Sequence, residues 1–455
     1  MRDLFFTGFL GLLIMYGFKR PFLFVLTYVY IDIIAPQRMS YYLLNSVPVS
    51  LIVFGLAFLG YLAIDDKRDS RLSIRQMMML ALLIYSFYTT YSLADFPADA
   101  EAKWDWVWKA LVFAIFLPLT LRTKLRLESL ALFMTLSIAT LIITGGIKTA
   151  AGGGGYGVLQ LLIDDNSGLY EGSIISCFSI SVIPIVLWLS KHGTVFPSDW
   201  RVKTFAYALV FACLLIPIGT QSRTGLICIA ALGILMLRFN RYRFVYAGLA
   251  IAAGLMSLPL LPQSYTDRMA TIGDHRADES ASTRVAVWAW TWQYAKDNPL
   301  GGGFDAYRGN SVRVEKIETT SSGTRTSIEV EEYVDSKRAY HSSYFEMLGE
   351  QGFPGLALWL GIMVGGIARM EIVRRHYTKK HKAGEEWVAP LALALQNSQV
   401  IYMFGSLFVG IAFQPFIYML VALQIGLDTY LTRRRKEAAF RPLQDRARKV
   451  AQPAE

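Results

Sequence analysis

Residues 173–190 read SIISCFSISVIPIVLWLS, a stretch of 18 residues without one charged side chain. An α-helix rises about 1.5 Å per residue, so a helix of this length spans roughly 27 Å. That length is close to the ~30 Å thickness of the hydrocarbon core of a bilayer. The stretch therefore predicts a transmembrane helix.

The composition of the whole chain extends this prediction. Of 455 residues, 54% are apolar and 18% are charged, and the mean hydropathy is +0.37. A soluble domain usually carries about 25% charged residues. A chain with 13% aromatic residues in long apolar runs is also unsuited to disorder, because such runs cannot stay solvated. We expect an all-α polytopic membrane protein and exclude a cytosolic enzyme.

Similar apolar runs recur along the chain. The predicted spans lie at about 47–64, 76–95, 106–121, 128–147, 173–190, 203–220, 224–238, 244–262, 353–371, 388–413 and 415–432. The N-terminal stretch 4–36 is apolar too, but a basic pair and a proline interrupt it. It forms either one kinked crossing or two short segments, one of them re-entrant. The single crossing gives about 12 transmembrane helices.

Lysine and arginine gather in alternate connections between these spans. The clusters lie at 65–75, 122–126, 191–203, 238–243, 369–382 and 433–449. The intervening connections at 95–105 and 148–172 are acidic or neutral. By the positive-inside rule the basic side is cytoplasmic, which places both termini in the cytoplasm when 4–36 crosses once. The net charge of +10 is mostly a topology signal, and we expect no nucleic-acid partner.

One connection is far longer than the others and lies on the extracytoplasmic side. Residues 263–340 separate an N-terminal transmembrane bundle, 1–262, from C-terminal transmembrane helices with a basic cytoplasmic tail, 341–455. Connections of this length are rare in compact proteins and are usually functional. We therefore expect the long loop to carry part of the functional site.

The long loop is predicted to be partly helical. A serine or threonine near Ser282 can cap a helix that runs to about Asp297. Trp288 and Trp292 recur at helical spacing, which is typical of an interfacial helix with its rings at the level of the lipid headgroups. The polar stretch 311–336 predicts a mobile lid or a hairpin.

Three side chains on the extracytoplasmic face indicate chemistry. Arg223 lies in a very short turn between two apolar spans, where an arginine runs against the positive-inside bias. Arg284 is predicted to open the loop helix, whose N-terminus favours anions. His341 lies where the loop re-enters the membrane and can accept a hydroxyl proton near neutral pH. Because guanidinium groups bind diphosphates bidentately, two or three arginines on this face are the clamp expected for a diphosphate, and the phosphate headgroups of ordinary lipids are the alternative partners.

The other candidate sites in the sequence lack the residues that nucleotide or metal binding requires. The glycine-rich stretch 152–157 lacks the Gly-Lys-Ser/Thr ending of a phosphate-binding P-loop. Asp164 and Asp165 have no further metal ligands near them in sequence. The three cysteines lie inside apolar runs without metal-ligand spacing, so we interpret them as buried packing residues. We expect no metal and no cofactor.

Several short motifs in a fixed order resemble the O-antigen ligase and O-antigen polymerase superfamily. They are SRTG at 222–225, STR at 282–284, NPLGGGF at 298–304, HSSY at 341–344 and LGEQGFPGL at 348–356, arranged around one long periplasmic loop. KRPF at 19–22, APQR at 35–38 and GGGY at 153–156 resemble its ligase-like branch more narrowly, which includes proteins labelled O-glycosylation ligases.

The resemblance implies an inverting, metal-independent glycosyltransferase with a GT-C-like fold in the bacterial inner membrane. Its donor would be O-antigen linked to undecaprenyl diphosphate, and its acceptor a sugar hydroxyl of lipid A–core at the periplasmic face. The family's catalytic histidine falls on His341, and its two essential arginines, which would also bind the diphosphate, on Arg223 and Arg284. The other substrate-binding positions that it suggests are Arg338, Gly302 and Tyr344.

Other functions remain open at this point. An O-antigen polymerase shares the fold and the donor but extends the donor's own glycan, and a protein O-oligosaccharyltransferase uses Ser or Thr of a protein as acceptor. A membrane transporter is the alternative from another class. Transporters usually show internal repeats and interrupted spans at mid-membrane depth, and we find no clear repeat in this sequence.

Overall fold

The computed structural model describes residues 2–68, 70–152, 159, 168–239, 241–257, 266, 279–322 and 325–451, and these are mostly helical. The helices are α1 (Arg2–Lys19), α2 (Phe22–Ile34), α3 (Pro36–Met39), α4 (Val49–Ile64), α5 (Ile74–Tyr88), α6 (Pro97–Thr120), α7 (Lys124–Gly152), α8 (Gly172–His192), α9 (Trp200–Gly219), α10 (Arg223–Leu237), α11 (Arg243–Ser257), α12 (Glu279–Asp297), α13 (Ser343–Lys379), α14 (Val388–Gly405) and α15 (Pro415–Ala451). Two strands, β1 (Ser311–Ser322) and β2 (Arg325–Ser336), pair antiparallel.

The helices have the length and composition of membrane spans. Within the described residues, five are long and apolar enough to cross a bilayer: α7, α8, α9, α13 and the Pro415–Ala439 part of α15. Shorter apolar helices accompany them, namely α2, α4, α10 and α11. Large apolar side chains also face outward, for example Phe244, which is 79% exposed. These features support an all-α membrane protein, whereas the total of about 12 spans stays a prediction.

The segment 4–36 forms two antiparallel helices, α1 and α2, so the second of the two predicted alternatives is nearer to the structure. The backbone N–H of Tyr41 donates to the Asp3 carboxylate at 2.9 Å, which places the start of α1 beside the end of α2. At the turn between the helices, the Arg126 guanidinium from a basic cluster lies over the Phe22 ring. The start of α1 therefore lies opposite the basic clusters, so the single crossing of 4–36, which was the condition for both termini to share a side, is not what the structure has.

The core of the bundle forms around α8, most of whose side chains are buried. Phe178 meets Phe416 of α15 edge to face, with ring centroids 4.9 Å apart. Gly405 of α14 leaves room for Cys177 and Cys228, since an added Cβ at this glycine would overlap the Cys177 sulfur. Small residues let helices approach closely where lipid supplies no hydrophobic drive for association. The buried, free cysteines thus fill space in the core, as predicted.

The predicted span 388–413 is divided in the structure. Its helix, α14, ends at Gly405, and the remaining residues form a turn-rich connection to α15. The Ser343 hydroxyl donates to the Val409 carbonyl at 2.9 Å and accepts from the Ile411 N–H at 2.9 Å. These two hydrogen bonds hold the connection against the start of α13, where the long loop returns to the bundle.

Glycines allow the connection after the loop helix α12 to pack closely against α13. In the connection 298–303, the Gly302 N–H donates to the Gly349 carbonyl at 3.1 Å. Gly352 adopts φ +61° and bends α13 at the contact, and an added Cβ there would overlap the Pro299 carbonyl oxygen. Glycine tolerates this left-handed conformation at little cost. The bend and the close backbone contact together fix where the loop begins its path over the bundle.

Both predicted elements of the long loop are present, with corrections. The loop helix α12 starts at Glu279, before the expected cap near Ser282, and the stretch 311–336 is a hairpin. The Trp288 indole N–H donates to the Tyr340 carbonyl at 2.8 Å, and the ring stacks on α13. This tryptophan therefore faces the protein, because α12 packs against α13. Trp292 is 49% exposed, as an interfacial position requires.

Candidate active site

A cavity of about 770 Å³ opens where the long loop returns to α13. Its wall combines the first half of α6, the short 3₁₀ turn Ala306–Gly309, the residues just before α13, and the connection between α14 and α15. The volume is in the range of small-molecule and cofactor sites. We call this space the main cavity. His341 lies on its wall, together with several charged side chains.

His341 is held in an unusual backbone conformation. Its φ of +49° lies in the left-handed region, which costs a residue with a Cβ about 1–2 kcal/mol. Hydrogen bonds on both sides hold the chain: Trp288 donates to the Tyr340 carbonyl, and the Ser343 N–H donates to the Ser406 carbonyl at 2.8 Å. Strain of this kind is concentrated at functional sites, where the surroundings hold a side chain in a required direction.

The surroundings of His341 keep its imidazole neutral. Burial, followed by the positive charges of Arg284 and Arg338, lowers the pKa of His341 to about 4. The ring is open to the main cavity, but the cavity walls replace much of the bulk water around it. At neutral pH the residue therefore offers a free lone pair rather than a positive charge. The same effect shows that Arg284, Arg338 and His341 lie close enough to interact.

The two other predicted catalytic residues come from different helices. Arg223 is the first residue of α10, whose N-cap Ser222 accepts a hydrogen bond from the Gly225 N–H at 3.2 Å. It is half-buried at the end of α10 opposite the basic cluster at 238–243. Arg284 lies in the second turn of α12 and not at its first residue, because the helix begins at Glu279. The expectation that Arg284 opens this helix is therefore wrong, although its electrostatic effect reaches His341.

The remaining predicted substrate-binding residues make contacts within the protein. Arg338, at the base of the hairpin, forms an ion pair with Asp335. The Tyr344 hydroxyl donates to a backbone carbonyl of α14 at 3.2 Å, and the Gly302 carbonyl accepts from the Asp95 N–H at 2.9 Å. Among the described residues that form the wall of the main cavity, neither Tyr344 nor Gly302 is present. Their role in substrate binding stays a prediction.

A cluster of buried charges forms another part of the wall. Lys103 Nζ lies 2.8 Å from Glu346 Oε1 and 2.8 Å from Glu350 Oε1. Asp305 completes the group, with an oxygen 3.7 Å from the same ammonium. The Glu350 side chain is completely buried, and the second oxygen of Glu346 accepts from the Ala412 N–H at 3.0 Å. We call Lys103, Asp305, Glu346 and Glu350 the Lys103 cluster.

The Lys103 cluster is held together by charge. Burial alone would lower the pKa of Lys103, but the negative charges of Glu346, Glu350 and Asp305 outweigh burial and raise it. The ammonium therefore stays charged. Moving each charge out of water costs several kcal/mol, so the cluster is stable only while its members stay paired. It joins α6, the 3₁₀ turn and α13, and so determines the shape of the main cavity.

Sequence reasoning missed this cluster, although one signal was present. Glu346 and Glu350 are four residues apart at the entrance of an apolar helix, so they share one face. Acidic residues at such a position need a positive partner. The partner, Lys103, is more than 240 residues away in sequence. Only the packing of α6 against the start of α13 identifies it.

The described residues also limit where a metal ion could bind. In the part of the chain that the structure describes, no group of three or more His, Cys, Asp or Glu side chains is arranged to hold a metal ion. Asp164, Asp165 and the glycine-rich stretch after residue 152 lie outside the described residues. The expectation of metal-independent chemistry therefore stays a prediction.

Comparison with known families divides the chain into two parts. Residues 1–194 match a family of unknown function, DUF5935, and residues 208–360 match the O-antigen ligase family. A comparison with curated proteins finds no match. The second segment contains Arg223, Arg284 and His341, three residues that the sequence motifs single out. Residues 208–360 thus carry an O-antigen ligase domain, which supports placing the chain in the O-antigen ligase and polymerase superfamily and supports a glycan-transferring role.

Proposed function

We propose that the protein is an inverting, metal-independent glycosyltransferase of GT-C-like architecture. It moves O-antigen glycan from undecaprenyl diphosphate to a sugar hydroxyl of lipid A–core at the periplasmic face of the inner membrane. One observation carries the proposal: a conformationally constrained His341 lies on the wall of the main cavity within the O-antigen ligase domain, and burial together with the charges of Arg284 and Arg338 lowers its pKa.

The proposed reaction needs a base and a stabiliser of the leaving group. The acceptor hydroxyl attacks the anomeric carbon, and the bond between that carbon and the diphosphate oxygen breaks with inversion. His341 accepts the hydroxyl proton, and the bond electrons leave with undecaprenyl diphosphate. Arg223 and Arg284 stabilise the charge that develops on the diphosphate, which is usually the largest contribution to such catalysis. Guanidinium groups can supply the positive charge that other glycosyltransferases take from a divalent cation.

The low pKa of His341 fits a reaction in which the donor binds before the acceptor loses its proton. Before the donor binds, Arg284 and Arg338 oppose protonation of the imidazole. A bound diphosphate would neutralise these positive charges and so raise the pKa of His341 toward its ordinary value. The base would then gain proton affinity only when the donor is present, which suits a residue that must take a proton from the acceptor.

A transfer assay with purified protein tests the proposal. The full chain in nanodiscs is supplied with a donor linked to undecaprenyl diphosphate and with lipid A–core, with and without EDTA. We expect transfer that EDTA does not reduce and that Arg223→Ala and His341→Ala abolish. His376→Ala, near the end of α13 away from the cavity, is the matched control and should transfer normally.

Acceptor choice separates the proposal from the related functions. In a deletion strain, loss of all long-chain lipopolysaccharide bands indicates a ligase, and a single-repeat band indicates a polymerase. Unchanged lipopolysaccharide together with loss of a glycoprotein indicates protein glycosylation. Retention of transfer by both Arg223→Ala and His341→Ala would contradict the assignment of the site, whichever acceptor is used.

A further inference from the structure

A smaller cavity adjoins the main cavity. Its volume is about 190 Å³, and it lies among the end of α2, the turn that follows, α6 and the start of α15. Arg38, Trp106 and Gln414 line both spaces, so these side chains stand at the junction. We call the smaller space the side cavity. The two cavities therefore meet at Trp106, which brings the side cavity within reach of a ligand in the main cavity.

Two buried hydrogen-bond acceptors on the wall of the side cavity have no donor among the described residues. They are Oδ2 of Asp32 and Oε1 of Gln37. The Tyr170 hydroxyl lines the same cavity, but it donates to the Ile34 carbonyl at 2.7 Å. Buried acceptors without donors are unfavourable, and native proteins keep few of them. The pair therefore points to a ligand that brings its own donors.

The backbone holds these two acceptors in a fixed arrangement. Asp32 lies in the last turn of α2, and Gln37 lies in the short helix α3 that follows. Between them the chain turns at Ala35, whose φ is +50° and whose N–H donates to the Ile31 carbonyl at 2.8 Å. The acceptors are thus positioned before any ligand arrives, which lowers the entropic cost of binding.

The lining of the side cavity selects one class of ligand. A phosphate would meet the Asp32 carboxylate as well as the Arg38 guanidinium, and neither a phosphate nor a lipid tail would bring donors to the two buried acceptors. A metal ion would need more ligands than the described residues provide. Sugar hydroxyls supply donors, and the Trp106 indole offers a flat apolar surface, a combination typical of small-molecule sites. We propose that the side cavity is a subsite for neutral sugar residues of the glycan that occupies the main cavity, an inference that rests on the proposed function.

The residues of this subsite come from a different part of the chain than the catalytic residues. Asp32, Gln37 and Trp106 lie within residues 1–194, the segment that matches a family of unknown function. The residues proposed for catalysis lie within 208–360. The N-terminal segment therefore contributes glycan recognition, whereas the O-antigen ligase domain contributes the transfer chemistry.

Two substitutions test the subsite in the full chain. Asp32→Leu and Gln37→Leu each remove the buried acceptor and keep a side chain of similar size. We expect each to raise the KM for the substrate that occupies the side cavity about tenfold and to change kcat less than twofold. Asp66→Leu, an exposed acidic residue at the basic end of the bundle, is the matched control. Thermal unfolding of each variant verifies that it folds.

Direct binding shows which glycan occupies the subsite. The probes are the O-polysaccharide and the core oligosaccharide, each released from its lipid by mild acid. Weaker binding of the polysaccharide to Asp32→Leu assigns the subsite to the donor, and weaker binding of the core oligosaccharide assigns it to the acceptor. If both variants bind both probes as the wild type does, with unchanged KM, the subsite is wrong even when transfer proceeds. If the wild type transfers nothing but binds a probe in an Asp32-dependent way, the proposed function fails and the subsite stands.

Discussion

The two ends of the helix bundle carry ion pairs in very different surroundings. At the cavity end, Lys103 is 14% exposed and Glu350 is completely buried. At the basic end, Arg369 pairs with Asp428 at 2.7 Å but keeps 40% of its side chain exposed. The same chemistry therefore stabilises a site at one end and contributes little at the other, because the energy of an ion pair depends on how much water its members have lost.

Histidines at the two ends give the largest expected difference. His341→Ala should lower the rate of glycan transfer about 10²- to 10⁴-fold, because it removes the proposed base. His376→Ala, near the basic end of α13, should leave the rate unchanged. The measurement is kcat for transfer with purified protein. Equal rates for the two variants would show that the cavity end is not where transfer takes place.

Lysine and arginine substitutions test the difference in burial. Lys103→Met should lower the free energy of unfolding by about 3–5 kcal/mol, because it leaves buried carboxylates without a partner. Arg369→Met should lower it by less than about 1 kcal/mol, since its pair is partly solvated. Chemical unfolding in detergent measures both. A similar loss in the two variants would contradict the contrast between the ends.

Glycines with positive φ allow a matched test of backbone contacts. Gly352→Ala should lower the free energy of unfolding by about 2–3 kcal/mol, because strain adds to an overlap with the Pro299 carbonyl. Gly384, at the basic end, has φ +83° with open space around it, so Gly384→Ala should cost only about 1 kcal/mol. The denaturant concentrations at the unfolding midpoints of the two variants measure these losses. Should both substitutions cost the same, the contact between the long loop and α13 contributes no stability.

The titration of His341 tests the cavity end through the pH dependence of stability. Its pKa is about 4 in the folded protein against 6.5 for the free side chain. The unfolded chain therefore binds this proton at a higher pH than the folded chain does, and stability falls as the pH decreases from about 6.5 to about 4. Above about pH 6.5 the residue contributes no pH dependence.

Removal of His341 should flatten this part of the stability curve. Unfolding midpoints of the wild type and His341→Ala are compared at about pH 7 and about pH 4.5. The pH dependence of stability that remains in the variant is due to other titratable groups. Identical slopes in the two proteins would mean that the pKa of His341 is not lowered in the folded protein.

Local sequence patterns correctly predicted those helices and strands that are determined by neighbouring residues. The apolar run at 173–190 lies within α8, and the polar stretch at 311–336 forms the hairpin. The same patterns were incomplete where a single turn changed the path of the chain: they indicated the break within 4–36 but not its direction, and they extended the predicted span 388–413 beyond its helix. A break within 4–36 reversed α1 on α2, and Gly405 ended α14 before residue 413. Composition does not report such reversals, because both sides of each break are equally apolar.

The candidate site was predictable residue by residue but not as a whole. His341 could be singled out because it is a titratable side chain at a membrane re-entry point, and Arg284 because it is a cation on the extracytoplasmic face. Their interaction depends on the packing of α12 against α13, as does the burial of Trp288. No sequence pattern predicts that Lys103 pairs with Glu350. None predicts the two buried acceptors at the side cavity either.

Apolar run length and the positions of lysine and arginine predict, without any coordinates, a helical membrane protein with one long connection on the side opposite the basic clusters. These features follow from the chemistry of successive residues and the thickness of a bilayer. The main cavity, the Lys103 cluster and the depressed pKa of His341 exist only in the tertiary structure. They depend on how much water each group loses, and that is set by residues distant in sequence that folding brings into contact.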